Sequence, residues 1–201
     1  MSLSRSMNKI YFAHPLNIYG QPIESAFEKL IADKLTWGNV GMIENPNQPH
    51  HQVGYNNYAQ RRKESGLNHK GMSYFYDEVL PQCDGCAGVP FLDGRLGLGV
   101  AGEMKWFIEK ELPVWIIVPC YNSITLDELV RFIQSPLNGY FNLKPVTFQE
   151  VKDILEFSPG LVIPHEETRL RTWKVYNKER RPYEKAHLVK MPIPEGFYPN
   201  N

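Results

Sequence analysis

Two carboxylates and four glycines fall within eleven residues, Asp93-Gly94-Arg95-Leu96-Gly97-Leu98-Gly99-Val100-Ala101-Gly102-Glu103. Nearly bare backbone of this kind lets a ligand approach closely, and N–H groups at the start of a following helix can hold an anion or sugar oxygens. Three readings of the stretch stand side by side. As a dinucleotide loop, Gly97, Gly99 and Gly102 match G-x-G-x-x-G between strand and helix. That motif normally opens the first βαβ unit, whereas two strands precede it here. The following strand also ends in Pro119-Cys120-Tyr121, with no acid to hold a ribose. No Gly-Lys-Ser/Thr follows the glycines, which excludes a Walker phosphate loop. As a catalytic site, Glu103 in the first helical turn is favoured as a carboxylate by the helix dipole, and it can attack C1 of a sugar or stabilise an oxocarbenium ion. Asp84 or Asp93 would then handle the proton of the leaving group. As plain structure, Glu103 is a dipole partner and the glycines are loop residues.

The elements that must position these residues follow from periodicity. Lys9 to Ala13 reads as the first strand, broken by His14-Pro15. Ile23, Ala26, Phe27, Leu30, Ile31 and Leu35 share one face of a helix, with Glu24 and Glu28 early in it. Val40 to Ile43 reads as the second strand, stopped at Asn45-Pro46-Asn47. Residues 47–70 read as a functional or partly helical segment. Met72, Phe75, Tyr76, Val79 and Leu80 give another helix, followed by a strand over 86–91. Met104, Phe107, Ile108 and Leu112 repeat at helical spacing up to Pro113, and Val114 to Val118 is a continuous apolar strand. Two apolar strands joined by a helix imply a parallel sheet, whose ligands bind at the carboxyl ends of the strands. Thr125-x-x-Glu128 and Thr147-x-x-Glu150 read as capping boxes, and Tyr140 to Val146 as a fifth strand.

The order of these motifs resembles the nucleoside 2-deoxyribosyltransferase superfamily, which includes the deoxynucleoside 5'-monophosphate N-glycosidases. The likeness covers roughly residues 9–120: Ile10-Tyr11-Phe12-Ala13, Asp84 before a strand, Asp93, Gly99-Val100-Ala101-Gly102-Glu103, and a Pro-Val strand. It implies an α/β, flavodoxin-like three-layer fold with a parallel five-stranded sheet of order 2-1-3-4-5, and cleavage of an N-glycosidic bond through a covalent glycosyl-enzyme. By position, Glu103 matches the nucleophile, Tyr11 the tyrosine that orients it, and Asp84 the aspartate that helps with base or sugar. Asp93 matches the aspartate before the nucleophile. The substrate-binding expectation extends to His14, Pro15, Gly97, Gly99 and Tyr74. Where the monophosphate glycosidases carry a serine, this chain has Gly97, which leaves recognition of a 5'-phosphate open. The resemblance requires no metal or organic cofactor.

Composition bounds the rest. The 201 residues suit one well-buried domain, expected over 1–157, with an arm over 158–201 lying on the domain or on a neighbouring subunit. Lys+Arg and Asp+Glu are both 22, so electrostatics makes no case for nucleic acid or an anionic membrane as partner. Three cysteines suit a reducing, cytoplasmic compartment. Cys83-x-x-Cys86 has no second pair at metal spacing, and His50, His51 and His69 show no i, i+4 spacing or carboxylate partner, so no metal is expected. Tyr55, Tyr58, Tyr74 and Tyr76 suit packing or stacking on a base. The expected partner is a small nucleoside or nucleotide bound by a homo-oligomeric enzyme. The alternative is a non-catalytic nucleotide or nucleotide-sugar binding module using the same pocket.

Overall fold

Side chains of the central strands alternate between two apolar layers, so both faces of the sheet are covered. The computed structural model describes residues 9–15, 18–20, 22–67, 72–91, 95–119, 141–147, 149–150 and 162–163. In chain order the elements are β1 (Ile10–Ala13), α1 (Pro22–Leu35), β2 (Ile43–Glu44), α2 (Pro49–Glu64), β3 (Gly85–Gly88), β4 (Leu96–Gly97), α3 (Leu98–Glu109), β5 (Val114–Pro119), β6 (Phe141–Val146) and β7 (Val162–Ile163). Ile10 and Phe12 of β1 point into one layer with Ile23, Phe27, Leu30 and Ile31 of α1. Tyr11 and Ala13 point into the other, with Val100, Ala101, Met104, Phe107 and Ile108 of α3. The period-two alternation of a strand makes this division.

The protein is α/β with a mixed, mostly parallel sheet of order β2-β1-β3-β5-β6. The expected all-parallel 2-1-3-4-5 sheet needs two corrections. Leu96–Gly97, expected as part of the glycine-rich loop, is a further strand, fourth in the chain, that pairs in parallel with Val162–Ile163 in a separate two-stranded sheet. The last strand of the main sheet, β6, runs antiparallel to β5. Its sequence Phe-Asn-Leu-Lys-Pro-Val suits that place: the side chains are partly exposed, and Pro145 supplies no N–H, which an edge strand tolerates. The pairing of β7 with β4 also brings residues from the expected arm back beside the start of α3.

Local chemistry explains the other departures. The expected strand Val40–Ile43 is a 3-10 turn over Val40–Met42 and a strand only at Ile43–Glu44. Asn39 starts the turn, its side chain accepting from the Gly41 N–H at 3.1 Å. Residues 47–70 contain the helix α2, with Pro49 at its first position, where a missing N–H costs nothing. Of its residues only His51 and Tyr58 are buried, so an apolar stripe was absent from the sequence. The helix expected after Met72 is a π-helical turn, Phe75–Val79, closed by a 3-10 turn over Leu80–Gln82. Pro81 has no N–H with which to continue an α-helix. The capping box at Thr147 is present: its N–H and Oγ1 both donate to Glu150 Oε2, at 2.7 and 2.9 Å, and the Glu150 N–H donates back to Oγ1. The expected Thr125 capping box and most of 158–201 lie outside the described residues.

Between β1 and β3 the chain changes direction across the sheet, since β2 lies on one side of β1 and β3 on the other. Such a reversal opens a crevice at the carboxyl ends of the strands. The Val89 N–H donates to Ala13 O at 2.8 Å and holds those ends together. Among the described residues no helix is long and apolar enough to cross a membrane.

The contact of β3 with β5 is tight enough to test. A Cβ added at Gly85 would lie 2.8 Å from the carbonyl oxygen of Pro113, a backbone atom that cannot swing away. Gly85→Ala is therefore expected to destabilise the fold by about 1–3 kcal/mol. Thermal denaturation should show Tm lowered by several degrees, and an unchanged Tm would contradict this packing.

Candidate active site

The Glu103 side chain lies in the apolar layer between β1 and α3, and the helix start explains how it gets there. α3 begins at Leu98 after Gly97, so Glu103 sits in the second turn, not the first as expected. The dipole of the exposed first turn therefore gives it little support, because that effect fades within one turn. The carboxyl is 5% exposed and receives a hydrogen bond from Tyr11, whose Oη donates to Oε1 at 2.8 Å. Tyr11 is itself fully buried on β1, its ring 6.1 Å from that of Phe107. The expected pairing of Glu103 with Tyr11 is thus present in the fold.

Burial controls the charge of this group. Loss of water raises the Glu103 pKa to about 8, and the hydrogen bond from Tyr11 only partly offsets the rise. The groups whose ionisation responds to Glu103 are Tyr11, Tyr19, Tyr76 and Cys86. Each is pushed upward, first by burial and next by the negative charge of Glu103, with Tyr76 reaching about 12. They stay neutral where Glu103 titrates. The hydroxyl of Tyr76 reaches α3 because residue 102 is glycine: a Cβ there would stand 2.7 Å from it.

A second buried polar group lies at the ends of β1 and β2. Asn45 Nδ2 donates to Glu24 Oε1 at 3.0 Å, and Asn47 Nδ2 donates to Glu24 Oε2 at 3.1 Å. The backbone N–H of Gly20 also donates to Oε2. His14 Nε2 lies 3.1 Å from Asn45 Oδ1 and 3.5 Å from Glu24 Oε1. With Nε2 carrying the proton, His14 donates to Asn45 Oδ1. Burial lowers the His14 pKa, against the opposing pull of Asn45 and Glu24, so the ring is neutral at pH 7. Tyr19 joins this network to Glu103: its ring meets that of His14 edge-on at 4.7 Å, and its pKa responds to both Glu103 and Glu24.

The remaining candidates divide as follows. His14 and Pro15 stand at the expected strand end, with His14 buried. Asp84 does not join Glu103. It precedes β3 at the opposite, amino-terminal edge, where its Oδ2 accepts from the Lys9 N–H at 3.2 Å and its N–H donates to Lys9 O at 2.8 Å. Its expected catalytic part is withdrawn on that placement. Tyr74 is corrected as well: it is packed among Tyr55, Tyr58 and Phe75, with Oη 3.2 Å from His51 Nδ1, and presents no face for stacking on a base. Gly97 is paired with Ile163, whereas Gly99 lies in the first turn of α3, which has no side-chain cap. Asp93 and His69 lie outside the described residues. Cys83 and Cys86 are buried free thiols, with burial raising Cys83 to about 12 and Cys86 well above its ordinary value. They are inert at neutral pH.

The sequence reading missed Tyr19, Glu24, Asn45 and Glu44. Glu24 looked like a dipole partner, and Asn45 like a strand stop. Glu44 is the carboxylate partner that His50 and His51 lacked on sequence spacing, with Oε1 at 3.1 and 2.8 Å from their Nε2 atoms. Burial would raise its pKa, but His51, Lys9 and His50 beside it outweigh that effect and hold it at about 2. Comparison of the chain with protein-family models, with curated proteins and with solved structures finds no match.

Glu103 makes stability depend on pH in a fixed direction. Its carboxyl has an unfolded pKa near 4.5 and a folded value of about 8, so folding takes up a proton between those values. Its contribution is complete below pH 4.5 and is lost as pH rises through 8. Glu103→Gln retains an acceptor for Tyr11 and does not titrate. The difference in Tm, variant minus wild type, is expected to grow from pH 5 to pH 9. Parallel Tm curves would show that the carboxyl is not titrating in the buried state.

Proposed function

We propose that this chain cleaves or transfers the N-glycosidic bond of a nucleoside or nucleotide, with Glu103 as nucleophile. The observation that carries the reading is the buried Tyr11–Glu103 hydrogen bond, which ties α3 to the strand on whose two sides β2 and β3 lie. It joins the two residues that the resemblance to the deoxyribosyltransferase superfamily pairs as orienter and nucleophile. In this mechanism an ionised Glu103 oxygen attacks C1 of the sugar and the C1–N bond breaks, its electron pair passing to the base. The departing nitrogen takes a proton; of the two expected donors, Asp84 and Asp93, the placement of Asp84 at the far edge leaves Asp93. Water or a second base then attacks C1 and releases Glu103. Tyr19 and Tyr76 are neutral hydroxyls near the carboxyl, suited to sugar oxygens. A site closed to water protects the intermediate. The reading keeps a small-molecule substrate and a homo-oligomer.

A second reading, a binding module without turnover, is favoured by the charge state. With a pKa of about 8, Glu103 is mostly protonated at pH 7, and a neutral carboxyl donates a hydrogen bond more readily than it attacks carbon. Mass spectrometry after incubation with a 2-fluoro nucleoside separates the two. An adduct on Glu103 marks the enzyme; saturable binding without an adduct marks the module.

Activity is tested with a panel of deoxynucleosides and their monophosphates. Free base is expected from at least one, with kcat/KM rising toward a plateau above pH about 8 as Glu103 ionises. Glu103→Ala should abolish release. Tyr11→Phe removes the hydrogen bond that lowers the Glu103 pKa, so its profile should move to higher pH. Release that survives Glu103→Ala would remove the proposed nucleophile.

A further inference from the structure

The geometry points to a divalent transition-metal site, of the zinc class, formed by Glu44 of β2 and His50 and His51 of α2. One ligand atom from each residue lies within 4.8 Å of the others. Glu44 Oε1 is 3.1 Å from His50 Nε2 and 2.8 Å from His51 Nε2. Ligands at about 2.0–2.1 Å from a tetrahedral zinc stand roughly 3.3 Å apart, so small side-chain shifts would admit the ion. Two imidazoles and a carboxylate are also a donor set that zinc takes.

His51 supplies the independent sign. It is 3% exposed, and its Nε2 has no hydrogen-bond partner even though Glu44 Oε1 is close. Its other nitrogen, Nδ1, is 3.2 Å from Tyr74 Oη. With a proton on Nδ1 donated to that oxygen, Nε2 offers a bare lone pair next to a carboxylate oxygen. Two lone pairs facing each other repel, and a cation between them removes the conflict. Such an outer hydrogen bond commonly fixes the tautomer of a ligating histidine. Gly54 makes room for the tyrosine: a Cβ there would stand 2.1 Å from Tyr74 Oη.

The surroundings set the coordination. The Lys9 ammonium pairs with Glu44 Oε2, which leaves Oε1 as a single-oxygen ligand. Lys9 and the N-terminus of α2 both add positive charge, so affinity rests on the three donors rather than on a negative field. The His50 side chain is 61% exposed, and the site opens to solvent there. Three protein ligands with an open side describe a metal with an exchangeable fourth position, held by water.

The test uses the full chain, stripped of metal with a chelator and titrated with Zn2+ alone, with Co2+ as a coloured substitute. One equivalent of Zn2+ is expected, and Co2+ should give visible bands of a four-coordinate site. His51→Ala and His50→Ala should each weaken binding roughly tenfold or more. His50 is on the surface, so its variant should keep the wild-type circular dichroism and remain interpretable if His51→Ala fails to fold. No uptake of Zn2+, or uptake that is unchanged in His50→Ala, would overturn the site.

Discussion

Enclosing Glu103 between β1 and α3 costs it the solvation that normally keeps a carboxyl ionised, and Tyr11 returns only part of it. Much of the arrangement nearby answers to that constraint. The hydroxyl that meets Oε1 comes from a strand, so it is held by the sheet and not by a loop. Phe107, one helical turn beyond Glu103, lies stacked against the Tyr11 ring and fixes the approach of helix to strand. Gly102 leaves the space through which Tyr76 reaches the same region. A buried ionisable group with a specific partner, at the reversal of strand order, is where chemistry is expected on physical grounds.

The polar layer at the ends of β1 and β2 works differently. Glu24, Asn45 and His14 are all nearly buried, and each would be costly there without partners. Their mutual hydrogen bonds join α1, β1 and the turn after β2 into one unit. Tyr19 stands between this unit and Glu103, and its hydroxyl feels the charge of both Glu103 and Glu24.

α2 is attached with little apolar burial. Tyr58 donates to Asp77, Arg61 pairs with Glu78, and His51 sits against Glu44 and Tyr74. Directional contacts of this kind substitute for an apolar stripe, and they gather the imidazoles of His50 and His51 around one carboxylate.

The sequence alone determined the β1–α1 unit, the helix before Pro113, the strand after it and the capping box at Thr147, because apolar periodicity and capping are local properties. It also marked Glu103 and Tyr11, through motif order rather than through any property of the two residues themselves. Tertiary structure decided the rest. It moved Asp84 to the far edge of the sheet, packed Tyr74 among aromatic rings, turned β6 antiparallel, and paired Leu96–Gly97, part of the expected glycine-rich loop, with Val162–Ile163. It also brought Glu44 to residues six and seven positions away, and Glu24 to Asn45 across 21. Spacing along the chain reports neighbours within one helix or strand. Which polar groups lose water together depends on how those elements pack, and that loss of water sets the charge of Glu103 and the company of His51.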